Sequence, residues 1–173
     1  MPTVPGLRAD PFPAFRFYIT LVDSSNALRS VLSAVSAVSN YVLGGFSECS
    51  GLEMSMDIHE YKEGGVNDYI HKFATRAKHA NLTLKRGMGF TDDLWTWHDE
   101  YVQGRGKRRD GIIALQSELG VPVKAWVFKR AIPVKWTGPA FNAQQNAVAI
   151  ESLEIAHEGL EILSPHAAVS KLI

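Results

Sequence analysis

Cysteine is nearly missing from these 173 residues: Cys49 stands alone, cannot close an intrachain disulfide, and so excludes a stapled secreted scaffold. Long hydrophobic runs are missing too. No apolar stretch reaches the roughly 18 residues that span a bilayer as a helix, so no membrane anchoring is expected. The opening MPTVPGLRADPFPAF has neither a cationic start nor an apolar stretch of signal-peptide type, and no secretory signal is expected. Charge of one sign is absent as well, with 18 Lys+Arg against 18 Asp+Glu. A dedicated nucleic-acid binder normally carries a basic surplus to displace counterions, and this balance argues against one. Neutrality instead favours association, and in a polymer it avoids a repulsion that grows with copy number.

What is present is an ordinary globular composition. Hydrophobic residues make up 46% and charged residues 21%, far from the disordered regime, and 173 residues suit one domain over 1–173. No linker, low-complexity tract or internal repeat interrupts it.

The dominant period is two. Phe15 to Val22 places Phe15, Phe17, Ile19 and Leu21 on one face and Arg16, Tyr18 and Thr20 on the other. Leu52 to His59 alternates without exception: Leu52, Met54, Met56 and Ile58 form a dry face against Glu53, Ser55, Asp57 and His59. Gly51 before it suggests a bulge or a bend. Asn81 to Arg86 presents Leu82 and Leu84 together. Gly111 to Glu118 and Val123 to Trp136 follow, joined by a turn at 119–122; Pro133 predicts a break or an edge position in the second. Ala147 to Leu160 closes the set, and its apolar phase shifts between Ile150 and Leu153, as at a bulge or where a strand passes from one packing layer to another.

One helix begins near Thr91, which can cap it, with Asp92 and Asp93 complementing the dipole. Leu94, Trp97, His98 and Tyr101 share a face, and Gly104 is the expected stop. An additional helix is expected at about 26–40, where Leu28, Val31, Leu32, Val35, Val38 and Val42 recur at near-helical spacing. The sum is a mainly β protein: a β-barrel of about six to seven antiparallel strands with one packed α-helix.

Catalytic chemistry finds no foothold. Six histidines, His59, His71, His79, His98, His157 and His166, form no His-x-x-x-His pair, and Cys49 has no cysteine partner, so zinc spacings are absent. Structural or solvated roles are expected for them, with no metal, cofactor or catalytic residue. Asp92-Asp93 and Asp99-Glu100 read as a helix start and a wet helix face rather than as paired acid and base. No nucleophile elbow or phosphate loop occurs. The Arg105–Arg109 cluster (RGKRR) reads as a solvated loop, and the four tryptophans as core or interface anchors rather than stacking platforms.

The remaining feature is Glu60 to Ala80, long for a loop between two strands of a compact domain. Beside a flexible Gly64-Gly65 it holds Tyr61, Tyr69, Ile70 and Phe73, which a free loop has no reason to expose. Such a segment either folds back as a satellite cluster or docks on a neighbouring subunit, and short strands leave edges that identical copies can pair. Glu60, Tyr61, Lys62, Glu63, Gly64 and Gly65, with Tyr69, Ile70 and Phe73, are the expected subunit contacts.

Seven blocks occur in an order that resembles the tail tube family of contractile injection systems: contractile-phage tubes, tubes of phage-tail-like extracellular injection particles and, more distantly, the type VI secretion tube protein. They are GGFSECSGLE (Gly44 to Glu53), EYKEGG (Glu60 to Gly65), NLTLKRG (Asn81 to Gly87) and LWTW (Leu94 to Trp97). RRDGII (Arg108 to Ile113), AWVFKRAIPVKWTGPAFNA (Ala125 to Ala143) and AVAIESLEIAHEGLEI (Ala147 to Ile162) complete them. Together they cover most of the chain and are highly specific.

The resemblance implies a β-barrel with one helix, assembled as hexameric rings that stack into a hollow tube. Such a tube is the conduit for DNA or protein cargo that a contracting sheath drives through an envelope. The partners implied are further copies of the chain, the surrounding sheath protein, baseplate or hub and terminator proteins, and cargo in the lumen. Assembly in the bacterial cytoplasm follows, as part of a virion tail or of a cytoplasmic or extracellular injection particle. The 60–80 segment corresponds to the loop that reaches toward neighbours. Two positions depart from the family pattern: Cys49, where relatives commonly carry an apolar residue, and Ser24 to Leu43, which looks inserted after the first strand. A tube-initiating or tube-terminating ring would share these features. A nucleic-acid-binding β-barrel and a metalloenzyme are the rivals of other classes.

Overall fold

The computed structural model of the chain describes residues 14, 16–23, 45–89, 91–118, 120 and 122–163. The helix expected at about 26–40, within the 24–43 insertion, lies outside them. Nine strands and one helix are described: β1 (Phe17–Asp23), β2 (Phe46–Ser50), β3 (Met54–Tyr61), β4 (His71–His79), β5 (Leu82–Gly87), α1 (Asp93–Val102), β6 (Arg109–Gln116), β7 (Pro122–Thr137), β8 (Ile150–Ala156) and β9 (Gly159–Leu163). The count exceeds the expected six to seven because Phe46–Ser50 and His71–His79 are strands of their own and the last run divides into β8 and β9.

The spine of the fold is a long antiparallel ribbon. The first half of β7 pairs with β9 from Ala125↔Leu163 to Lys129↔Gly159, and the second half pairs with β8 from Ile132↔Ala156 to Thr137↔Ser152. Between the two ladders the Glu158 N–H donates to the Lys129 carbonyl at 3.0 Å. At one end of the ribbon β6 and then β1 join β7; at the other end β5 and then β2 join β8. Both wings fold over one core of Ile19, Leu21, Phe46, Leu82, Leu84, Leu94, Trp97, Ile113, Phe128, Ala131, Leu153 and Ile155. Each fully buried aliphatic side chain there contributes about 1.5–3 kcal/mol. No hydrogen-bonded ladder joins β1 to β2 among the described residues, so the curled sheet is an open antiparallel barrel.

Local chemistry explains the corners. Gly51 has φ +90°, and a Cβ there would stand 2.0 Å from the Asn81 carbonyl oxygen, so the bend into β3 requires glycine. The ribbon turns at Arg130, a non-glycine residue at φ 53°. That conformation costs about 1–2 kcal/mol. Two carboxylates hold it: the Arg130 N–H donates to Asp110 Oδ1 at 2.7 Å, and its Nε to Glu158 Oε2 at 2.6 Å. Arg108 donates to Glu158 as well and to the Arg130 carbonyl, while Arg109 lies 5.1 Å over the Trp97 ring. The basic cluster is therefore pinned at its C-terminal end rather than solvated throughout.

The helix starts one residue later than expected. Asp92 is the N-cap, without a side-chain cap bond, and the Thr91 carbonyl instead accepts from the Arg86 guanidinium at 3.0 Å. Leu94 and Trp97 are fully buried, Tyr101 is half-buried against the core, and Gly104 at φ +72° ends the helix.

The expected bulge in the last strand does not occur: β8 runs in unbroken register with β5 from Gly87↔Ile150 to Leu82↔Ile155. Ile150 is exposed and Glu151 takes the inward position, so the apparent phase shift marks a buried carboxylate. Arg86 answers it from β5, and the Trp136 indole N–H donates to the second oxygen at 2.9 Å. Trp95 then packs edge-on against Trp136 at 4.8 Å, tying α1 to this polar core. The bulge lies on β7 instead, between Pro133 and Lys135. Pro133 keeps its place because the second half of β7 pairs on one side only, as an edge position allows.

Candidate assembly surface

β3 and β4 form a two-stranded sheet of their own, hydrogen-bonded to no other strand among the described residues. The 60–80 segment is therefore half strand: β4 runs back along β3 from Tyr61↔His71 to Met54↔His79. Sequence alone hid it because β4 carries one large apolar residue, Phe73, among lysines, alanines, threonine and arginine. A bulge between Met56 and Ile58 shifts the register, and the Thr75 hydroxyl donates to the Asp57 carbonyl there at 2.9 Å.

Pairing sorts the side chains onto two faces. Met54, Met56 and Ile58 share one with Ala74 and Ala77 of β4, while Ser55, His59 and Tyr61 share the other with Lys78, Phe73 and His71. The alternation of β3 is as its sequence predicts, but the dry face is not buried within the chain. Met54, Met56 and Ile58 are 64%, 59% and 59% exposed, and Leu52 just before the strand is 37% exposed. Each carries apolar area that water leaves unsatisfied, and a contiguous patch of this kind marks a contact surface. The polarizable methionine side chains suit irregular partners.

The second face carries aromatics. Tyr69 meets His71 edge-on at 5.0 Å, Phe73 stacks against it at 6.2 Å, and Tyr61 lies 6.4 Å away. Glu63 Oε2 stands 3.2 Å from His71 Nε2, drawing the tip back over the strand ends. Tyr61, Tyr69 and Phe73 nevertheless remain more than half exposed. At the tip Gly64-Gly65 turns with Gly65 at φ +93°. The structure thus gathers Tyr61, Lys62, Glu63, Gly64, Gly65, Tyr69 and Ile70 at the end of one hairpin, with Glu60 one strand pair and Phe73 two strand pairs behind. Glu60–Lys72 at 4.0 Å and Asp57–Lys78 at 2.8 Å are exposed ion pairs, worth no more than about 1 kcal/mol each. Met54, Met56 and Ile58 were not among the expected contacts; their alternation was visible, but nothing local said that the core would leave them out.

The described residues hold no cluster of three or more His, Cys, Asp or Glu side chains and no helix long and apolar enough to cross a membrane. Burial, with Glu48 adding to it, pushes the Cys49 thiol up to about 11, so it is protonated and unreactive at neutral pH.

A family model described as the T4-like virus tail tube protein gp19 matches residues 13–161. No curated protein matches the chain in sequence. Among solved structures, a chain of the anti-feeding prophage baseplate is 23% identical with a TM-score of 0.75, covering 91% of this chain and 98% of that one. A chain of the extended sheath-tube complex of the PVC extracellular contractile injection system is 22% identical with a TM-score of 0.73, covering 90% and 93%. A chain of the anti-feeding prophage tube-terminating cap is 22% identical with a TM-score of 0.72, covering 91% and 94%. At these identities the likeness is one of fold.

Proposed function

The chain belongs to the T4-like virus tail tube family, and from that premise we propose that it is a non-enzymatic subunit that assembles as stacked hexameric rings into the inner tube of a contractile tail or injection apparatus. The observation that carries the reading is the β3–β4 hairpin, which stands off the barrel with apolar side chains exposed on both faces. A monomer gains nothing from such a hairpin, whereas a copy set against it buries both faces and meets a free strand edge. Glu60 to Gly65, with Tyr69, Ile70 and Phe73, supply contacts between subunits. Sheath, baseplate and terminator proteins are its partners, and cargo occupies the lumen. Assembly takes place in the bacterial cytoplasm.

Baseplate and cap chains match as well as the sheath-tube chain does, which supports a second reading: an initiating or terminating ring. Electron microscopy of the purified chain at high concentration separates the two. Filaments support the main tube, single rings the specialised layer, and dispersed monomers overturn both. Replacing Tyr69, Ile70 and Phe73 together by Ser is expected to leave a folded protein that no longer stacks; normal tubes from that variant would remove the hairpin tip from the interface.

A further inference from the structure

One sheet face is buried on the side away from the core. In the wing of β1, β6 and the first half of β7, the core takes Ile19, Leu21, Ile113 and Phe128. Strand alternation turns the residues between them the other way. Pairing aligns Thr20, Ile112 and Val127, and likewise Tyr18, Ala114 and Ala125, across the back of this sheet. Thr20, Ile112, Ala114 and Val127 are only 7%, 5%, 1% and 5% exposed, although none belongs to the core. Burial also pushes the Tyr18 phenol above its ordinary pKa. The back of the other wing shows an uncovered face: Thr83, Lys85, Ser152 and Glu154 are polar and half-buried there. Flanking strands cannot hide an isoleucine from above, so Ile112 lies under a second layer.

No described element is that layer. The helix α1 sends Leu94 and Trp97 into the core, and β5 and β8 face the core from the opposite wing. β3 and β4 pack chiefly on each other. The burial is that of a single chain, so a second copy does not supply it. The longer stretches outside the described residues are 1–13, 24–44 and 164–173, and the gradient of burial selects among them. Along β1 the back-facing residues pass from exposed Arg16 through half-buried Tyr18 to buried Thr20. The cover thickens toward the end from which residue 24 departs, away from 1–13. Across the sheet it fades toward β9, where the Lys129–Glu161 ion pair on the same back face is exposed, away from 164–173.

Residues 24–43 also have the chemistry the face requires. Arg29 is their one charged residue, and Leu28, Val31, Leu32, Val35, Val38 and Val42 recur as one apolar stripe. A helix over 26–40 is about 22 Å long, enough to cross β1, β6 and β7 at their spacing of about 4.8 Å. We propose that the 24–43 insertion docks through this stripe on the back of the β1–β6–β7 sheet of its own chain, as a second layer of the barrel wall. One wing is then closed to other subunits. The polar back of β5 and β8 and the β3–β4 hairpin are left as surfaces for assembly.

The test is photo-crosslinking of the dilute full chain carrying photo-leucine, which sets a diazirine at Leu28 and Leu32 with little change of shape. Intrachain crosslinks from either position to peptides holding Thr20, Ile112 to Ala114 or Val127 are expected, read by mass spectrometry. Crosslinks from Leu28 and Leu32 only to other elements, or only between chains, overturn the docking. So do crosslinks to those peptides from Leu172 in their place. A second measurement compares the stripe with its far side. Val35→Asp is expected to lower the melting temperature by roughly 5 °C or more, and Ser33→Asp by no more than about 2 °C. Equal shifts overturn the orientation. Both readouts concern the unassembled chain, so the tube reading stands or falls separately, by microscopy.

Discussion

The Glu151 carboxylate lies 2.6 Å from the Arg86 Nε inside the barrel, and each residue is only 3% exposed. Two charges placed among Leu and Ile side chains hold their position only because each satisfies the other and the Trp136 indole and Thr91 carbonyl take further bonds. The pair also links β5, β7, β8 and the segment that leads into α1.

Removing one member leaves a buried charge without its counter-ion. Glu151→Ala is expected to lower stability by about 3–5 kcal/mol, whereas joint replacement by Arg86→Met and Glu151→Leu recovers most of the loss. Urea denaturation of the three proteins measures both. A Glu151→Ala loss below about 1 kcal/mol would show that the pair is not the support described.

The apolar face of β3 separates folding from assembly. Met54→Ser, Met56→Ser and Ile58→Thr together should change monomer stability by only about 0.5 kcal/mol, the usual range for exposed positions. Association, followed by sedimentation, is expected to be lost. A fall in stability of several kcal/mol would mean that the face is covered within its own chain.

Cys49 gives a pH-dependent expectation. With its thiol pushed up to about 11 from 9.0 by burial and then Glu48, the native chain disfavours the thiolate relative to the unfolded one. The stability this group contributes is therefore complete below the unfolded pKa and declines as pH rises through 9.0 toward 11. Iodoacetamide at pH 8 should alkylate the native chain on the order of a hundredfold more slowly than the urea-unfolded chain, because only the thiolate attacks. Equal rates in the two states would contradict the burial.

Much of the architecture was legible from local pattern. Leu82 and Leu84 alternate into the core as expected, Leu94 and Trp97 bury the helix face, and Gly51 and Gly104 stand at the bends predicted for them. These follow from periodicity and backbone sterics, which act over a few residues. The hairpin tip was also visible, as aromatics beside Gly64-Gly65 with no internal reason to be there. β4 was not, because Lys72 to His79 offers only Phe73 and Thr75 of the residue types that announce a strand, and its pairing comes from β3 alone.

Alternation along β3 and the buried face of α1 were legible in the amino-acid order alone, since each depends on neighbours within one strand or one turn. Tertiary structure alone decided that Met54, Met56 and Ile58 face outward, that Glu151 turns inward to meet Arg86, and that His79 comes to rest against His157. The physical reason is the same in all three. Whether a side chain is dry, paired or unpartnered depends on surfaces contributed by segments far along the chain, and local pattern carries no record of where those segments will lie.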